Sequence, residues 1–338
     1  MDDRRRTLIV SLTFVSLWVT SVAHGQSPAG ADSQTTLLGR VDVALQAWQL
    51  DEASRLLSGL TGSASEAVDL RRSRLDLSRS RYDAVIARLG PRLGSSTSVS
   101  PALRVLLGAA LDARGKRDEA RVVLDVLADQ YDSGDLTGAD AKLGLALSLV
   151  ANDYPADAND IFREVVDASR SSPMARVQWA KLFRSRYNHR DASQLLEEAL
   201  KIAPGDPNTL VELAAVDVES DRDYARATDR LKAVLKGAPQ CVPAHNLLAR
   251  IDLENERPQA AVTRLLKTSL KIAPQEWLRL EILGRALAAR FRISGDYADL
   301  AEADAVMAQA MAVSEPPAGP NLSRAVIAVL AHKLDKAD

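Results

Sequence analysis

The side chains best suited to chemistry in this sequence are few and scattered. The chain of 338 residues holds four histidines and one cysteine. His189, His245 and His332 lie beyond the amino-terminal leader described below, far from one another along the chain. A zinc site, a general base or an activated nucleophile needs such groups at spacings that make them converge. Neither H-E-x-x-H nor C-x-x-C occurs, and there is no G-x-x-x-x-G-K-[ST] phosphate loop and no G-x-G-x-x-G turn. Cys241 has no second thiol to pair with and reads as a small filler in a turn between helices. The acidic pair Glu197-Glu198 reads as a solvated helix face. The residue types therefore point away from catalysis, a bound metal and a cofactor, and toward recognition by shape and charge.

The elements that must position such a recognition surface are legible in three near copies, Leu196–Pro204, Leu231–Pro239 and Leu266–Pro274. They end ALKIAP, VLKGAP and SLKIAP, and Pro204, Pro239 and Pro274 are each 35 residues apart. A period of that length denotes a helical solenoid, in which each unit buries its apolar face against its neighbours. Around the copies, small residues recur 12 apart: Gly108 with Ala120, Ala146 with Ala158, Ala180 with Ala192, Ala215 with Ala227, and Ala249 with Ala261. Two antiparallel helices cross where both side chains are short, because a larger group would push the pair apart. Leu107, Leu111, Leu124, Trp179, Phe183 and Leu196 supply the flanking apolar bulk at helical spacing.

The punctuation agrees. Ser100-Pro101, Ser172-Pro173 and Asp206-Pro207 each set a capping side chain before a proline at the first helical position. Lys201, Lys236 and Lys271 fall in last turns, where a cation suits the negative end of the helix dipole, and a proline follows each.

Composition narrows the partner. Aromatics are 4% of the chain, the net charge is −2 and the isoelectric point is about 6.2, so no basic excess points to nucleic acid. At the amino terminus Arg4, Arg5 and Arg6 precede an uncharged run from Leu8 to Val22, and Ala23-His24-Gly25 offers small residues at −3 and −1. This is the layout of a secretory signal peptide over 1–25, cleaved before Gln26; the apolar run is short for a membrane span. Arg5-Arg6-Thr7-Leu8-Ile9 loosely matches a twin-arginine motif, which leaves the export route open. The expectation is a periplasmic or secreted protein with no membrane span once the leader is removed.

In these residues the chain resembles the tetratricopeptide repeat family. Ala180, Phe183, Ala192, Leu196, Ala199 and Pro204 meet its pattern at family spacing, and Leu107-Gly108, Leu111, Gly115, Ala120 and Leu124 meet it again. The resemblance runs from Pro101 to Pro274 and extends more weakly to Leu37–Leu60 and Glu66–Leu93. It implies an all-α fold, a right-handed α-solenoid of antiparallel helix pairs. The expected organisation is a disordered linker over 26–36, divergent repeats over 37–93 and the solenoid over 101–313. A terminal capping helix or incomplete repeat follows over 320–338. Gly94–Ser100 reads as a flexible spacer, Asp132–Asp135 as an extra loop, and about seven residues are inserted after Leu283-Gly284, near Phe291–Tyr297.

The resemblance also implies a concave wall lined by the first helix of each unit. Its ligand-facing positions fall on Val105, Leu143, Leu147 and Val150, then on Val177, Gln178, Lys181, Arg184, Glu212, Glu219, Asn246, Arg250, Glu281 and Arg285. The partner-binding residues expected there are Gln178, Lys181, Arg184, Asn246, Arg250 and Arg285, with Lys181, Arg250 and Arg285 in one row. An extended or helical peptide with acidic segments suits such a row; in the alternative, the neighbouring glutamates pair with these cations. The function implied is a non-catalytic protein-interaction scaffold of the cell envelope. Two alternatives stay open: the repeat half of a zinc-peptidase-like envelope hydrolase whose catalytic domain is missing or separately encoded, and a small-molecule or lipid carrier using the apolar groove around Val105–Val150. The repeat register has a direct test. Ala192→Leu or Ala227→Leu is expected to lower stability by roughly 1–3 kcal/mol through overpacking, read by urea denaturation; unchanged midpoints would contradict the register.

Overall fold

The computed structural model describes residues 34–60, 65–93, 100–274 and 276–313, together with Arg324, Ile327 and Ala328. The expected leader and most of the linker and terminal segment lie outside these residues, as does most of the Gly94–Ser100 spacer. Every described element is helical, with no strand among the described residues. The helices are α1 (Gln34–Gln46), α2 (Leu50–Ser58), α3 (Glu66–Ser78), α4 (Tyr82–Leu93), α5 (Pro101–Ala113), α6 (Arg117–Asp132), α7 (Ala139–Ala151) and α8 (Pro155–Ala168). They continue with α9 (Pro173–Ser185), α10 (His189–Ile202), α11 (Pro207–Val216), α12 (Tyr224–Gly237), α13 (Val242–Glu254), α14 (Pro258–Arg264), α15 (Leu270–Ile272), α16 (Trp277–Ser294) and α17 (Tyr297–Val313). α1 starts inside the stretch expected to be a linker.

The first helices of successive pairs (α1, α3, α5, α7, α9, α11, α13, α16) touch one another in order and form the inner wall, and each second helix packs on the first helix of the next pair. One residue in the left-handed region turns the chain within each pair: Trp48, Ser80, Gly115, Asp153, Tyr187, Arg222, Glu256 and Gly295. Glycine adopts this backbone freely, whereas a bulky side chain such as that of Trp48 does so against a steric penalty. The small-residue crossings are tight. A Cβ on Gly108 would lie 2.8 Å from two atoms of the Leu124 side chain, and one on Gly284 would lie 2.7 Å from the Met307 methyl. Ala146, Ala158, Ala192, Ala227, Ala249 and Ala261 are fully buried.

Ser172 and Asp206 cap their helices through side-chain oxygens, accepting from the backbone N–H of Ala175 at 3.3 Å and of Thr209 at 2.8 Å. Ser100 corrects the expectation: its side chain makes no cap bond, while its backbone N–H donates to Glu66 Oε1 at 3.0 Å. The insertion after Gly284 appears as a longer helix, α16 having 18 residues where α5, α7 and α9 have 13.

The third near copy is altered as well. Ala192 to Ala199 and Ala227 to Val234 each span seven residues, but Ala261 to its counterpart Ser269 spans eight. The extra residue is absorbed as a π-helical turn over Leu265–Ser269, between α14 and α15. Leu265, fully buried, therefore takes the place of Leu196 and Leu231 in the core, while Leu266 points outward at 41% exposure. By the 35-residue period Leu266 stands where Leu196 and Leu231 are core, and the inserted residue is the reason it is not.

The solenoid also bends back on itself. The turns of its first two helix pairs reach the inner wall of its last three. Trp48 Nε1 donates to Asn208 Oδ1 at 3.0 Å, and Arg279 Nη2 donates to Ser80 Oγ at 3.0 Å. The Asp51 backbone N–H donates to Gln240 Oε1 at 3.2 Å, and Gln240 Nε2 donates back to Asp51 Oδ2 at 2.9 Å. Trp48, Leu50 and Leu57 share one apolar core with Val211, Ala215, Val242 and Leu247. Behind the turns, Asp42 is buried between Arg71 (Nε to Oδ2, 3.1 Å) and Arg74 (Nη1 to Oδ1, 3.0 Å), which ties α1 to α3. Burial, and secondarily the neighbouring Arg71 charge, pulls the Arg74 guanidinium down to about 10 against the attraction of Asp42.

Truncating the aromatic wedge tests the closure. Trp48→Ala is expected to cost about 3–5 kcal/mol and to raise amide hydrogen exchange both in α1–α2 and in α11–α13. Faster exchange confined to α1–α2 would show that the two ends are not coupled.

Candidate functional site

Closure turns the expected open groove into a central cavity. It has a volume of about 210 Å³ and is walled by the Trp48 and Ser80 turns, α5, α9, α11, α13 and the start of α16. Its apolar lining includes Trp48, Leu77, Ala109, Val211, Ala215, Val242, Leu247 and Leu278. Its charged lining is Lys181, Arg184, Glu212, Arg250 and Glu276.

The expected partner-binding residues separate into two sets. Gln178, Lys181 and Asn246 are buried and Arg184 is half-buried, whereas Arg250 and Arg285 are exposed. The inner set is engaged within the protein. Glu212 joins Lys181 Nζ to Oε1 at 3.5 Å and Arg184 Nε to Oε2 at 3.1 Å, and Arg184 Nη1 reaches Glu219 Oε1 at 2.7 Å. Asn246 Oδ1 accepts from Ser269 Oγ at 2.7 Å, and its amide donates weakly to Glu276 Oε2 at 3.5 Å. Glu276 in turn pairs with the fully buried Arg279 at 2.9 Å. The apolar positions are occupied too: Val105, Leu143 and Leu147 are buried in the core between successive pairs, Val150 packs partly buried against the same core, and none of the four is among the residues lining the central cavity.

The electrostatics follow from this packing. Burial holds the Lys181 ammonium below its ordinary range, with Glu212 pulling the other way. At Arg184 burial acts downward, yet Glu212 and Glu219 together hold the guanidinium above its ordinary value. Burial would raise the Glu212 carboxyl, but Arg184 and then Lys181 outweigh it and keep the group below the ordinary carboxylate range.

Sequence reasoning missed Asn208, Glu276, Trp48 and Ser80. Asn208 lies seven residues before Ala215, one off the ligand-facing register, and its place after Pro207 reads as part of a helix start. Trp48 and Ser80 are turn residues, and no repeat register assigns a turn to the opposite wall. An aromatic residue at the Trp48 turn was a weak signal, since a later pair carries Gly115 there but another carries the exposed Tyr187.

The remaining chemistry-bearing groups are isolated. Cys241 is fully buried, and burial pushes its thiol up to about 12. His245 Nε2 lies 2.9 Å from the Pro239 carbonyl oxygen, and burial holds its imidazole below the ordinary value. His189 begins α10, packing edge-on against Tyr187. His332 lies outside the described residues. Among the described residues no group of three or more His, Cys, Asp or Glu could hold a metal ion, and no helix is long and apolar enough to cross a membrane.

The architecture is that of a tetratricopeptide-type α-solenoid. Among solved structures the chain is similar to one from the APC/C hetero-tetramer Cut9–Hcn1, with TM-score 0.61 and 16% identity over 89% of this chain and 58% of that chain. It is similar to human IFIT1, in a dimer with PPP-AAAA, with TM-score 0.54 and 13% identity over 86% of this chain and 69% of that one. It is also similar to a tetratricopeptide repeat protein from Parabacteroides merdae, with TM-score 0.51 and 14% identity over 75% of this chain and 98% of that one. At these identities the likeness is one of fold, and the chain spans little more than half the length of the first of them. No family model and no curated protein matches the sequence.

The buried Glu212 centre has a signed pH dependence. Because the folded carboxyl titrates below its ordinary 4.5, its stabilisation is complete above that pH and is lost as the pH falls through the lower folded value. Glu212→Gln removes the carboxylate shared by buried Lys181 and half-buried Arg184 and is expected to cost about 3 kcal/mol at pH 7. It is also expected to flatten the loss of stability on acidification below pH 4.5, measured by urea midpoints across the range.

Proposed function

We propose that this protein is an exported, non-catalytic interaction scaffold of the cell envelope, and that it takes an acidic segment of a protein partner at the rim of its closed solenoid. The observation that carries this reading is the pair Arg250 and Arg285. They stand at the same register, one residue after the small crossing positions Ala249 and Gly284, on the neighbouring helices α13 and α16. Both are exposed, and neither has an ion-pair partner among the described residues. Unpaired guanidiniums on adjacent rigid helices suit bidentate recognition of carboxylates.

Lys181 belongs to the same row but is committed to Glu212, so the proposed contact is shorter than the full concave wall. The amino-terminal leader, with three arginines and a 15-residue uncharged run, supports export. The tetratricopeptide-type architecture supports a binding role, since it presents rows of side chains on a rigid wall.

Arg250→Glu combined with Arg285→Glu is expected to keep the wild-type melting temperature, because both side chains are exposed. It is also expected to abolish the salt-sensitive cross-links to partner proteins that the wild type forms in intact cells. Partner cross-links unchanged by the double substitution would refute the rim as the contact.

A further inference from the structure

Beyond partner binding at the rim, the central cavity has the chemistry of a ligand site. Its two carboxylates are taken within the protein, whereas two of its donors are not. Glu212 is taken by Lys181 and Arg184, and Glu276 by Arg279 and Asn246. Asn208 is 5% exposed and is oriented without ambiguity: the Trp48 indole N–H is a donor only, so the atom it meets must be the amide oxygen. The amide nitrogen is left as the other end of the side chain. Nδ2 of Asn208 lies just beneath the cavity wall, itself out of contact with solvent and with no hydrogen-bond partner among the described residues. A buried donor without a partner costs about 1–3 kcal/mol, which an acceptor that enters the cavity and displaces the wall slightly would recover.

The second open group is the Arg250 guanidinium, which lines the same cavity and has no ion-pair partner among the described residues. Both unfilled groups are donors and one is a cation, while the remaining walls are largely aliphatic and indole surface. The volume of about 210 Å³ is far more than the ~15 Å³ that admits one water. The cavity sits behind turns of the protein's own first two helix pairs, which favours a compact molecule over a long chain.

We propose that the central cavity binds a small monocarboxylic acid with an apolar body, its carboxylate accepting from Asn208 Nδ2 and facing Arg250, and its body lying against Trp48, Val211 and Leu247. Trp48 supplies the reporter, because its indole forms one wall and holds Asn208 in place.

The test is calorimetric titration of the full chain, paired with tryptophan fluorescence, using sodium hexanoate, 1-hexanol, hexylamine and an alanine tetrapeptide with a free carboxyl terminus. Saturable one-to-one binding of hexanoate is expected, with a change in emission that Trp48→Phe removes. Hexanol and hexylamine are expected not to bind. Asn208→Asp keeps the oxygen that Trp48 needs and replaces the donor with a like charge. It is expected to weaken hexanoate by about tenfold or more, as is Arg250→Gln. Arg285→Glu alone, which lies outside the cavity, is expected to leave hexanoate unchanged, so failure of the cavity and failure of the rim contact are distinguishable. Four outcomes would overturn the proposal: no saturable binding of hexanoate up to ~10 mM, binding indifferent to both Asn208→Asp and Arg250→Gln, tighter binding of hexylamine, or binding of the tetrapeptide only.

Discussion

One hydrogen bond organises this molecule: the Trp48 indole donating to Asn208 at 3.0 Å across 160 residues of chain. Each partner depends on the other for its conformation. Trp48 occupies a left-handed backbone region that a bulky residue enters only at a cost, and its wedge into the far wall offsets that cost. Asn208 is held with its oxygen toward Trp48, which leaves its nitrogen without a partner among the described residues. The Ser80–Arg279 and Asp51–Gln240 contacts flank this bond, and together they turn a curved row of helix pairs into a closed body with an interior.

Closure alters how the solenoid holds together. In an open repeat array, stability is close to a sum of unit and nearest-neighbour terms, and the ends fray independently. Here the first two pairs share one apolar core with the sixth and seventh, so the energy of one end is stored at the other. Closure also changes the electrostatics of the wall. Cations that would stand in water on an open concave face are partly desolvated, and the carboxylates Glu212 and Glu276 become necessary where surface pairs would contribute little. The buried Asp42–Arg71–Arg74 cluster plays the corresponding part in α1–α3, holding rigid the two turns that make the reach.

Much of the local structure could be read from residue types. The 12-residue spacing of small residues locates the crossings, proline and lysine mark where second helices end, and the seven residues added after Gly284 are visible before their form as a longer α16 is known. These signals are readable because they act within one or two turns of helix or between adjacent units. The site was less legible for the converse reason. Lys181 and Asn246 are polar and lie at positions an open wall would expose, and nothing local tells that the Trp48 and Ser80 turns face them across the cavity. Asn208 was hidden by its own role beside a helix start. Long-range closure leaves no period in a sequence, and an aromatic residue at a turn does not by itself announce it: Trp48 is buried against the far wall, whereas Tyr187, at the corresponding turn of a later pair, is exposed.

The π-helical turn at Leu265–Ser269 bears on that closure from a distance. Adding a residue to an α-helix rotates everything beyond it by about 100°, which would swing Ala273 and Pro274 off the axis set by the two preceding units. By widening one turn, the helix takes up the added residue without passing the rotation on, and Arg279 arrives opposite Ser80. A flexible loop would absorb the same insertion but would forfeit the angular phase on which the distant contact relies. The bulge thus serves as a phase corrector placed between the repeat that acquired an extra residue and the junction that tolerates no angular error.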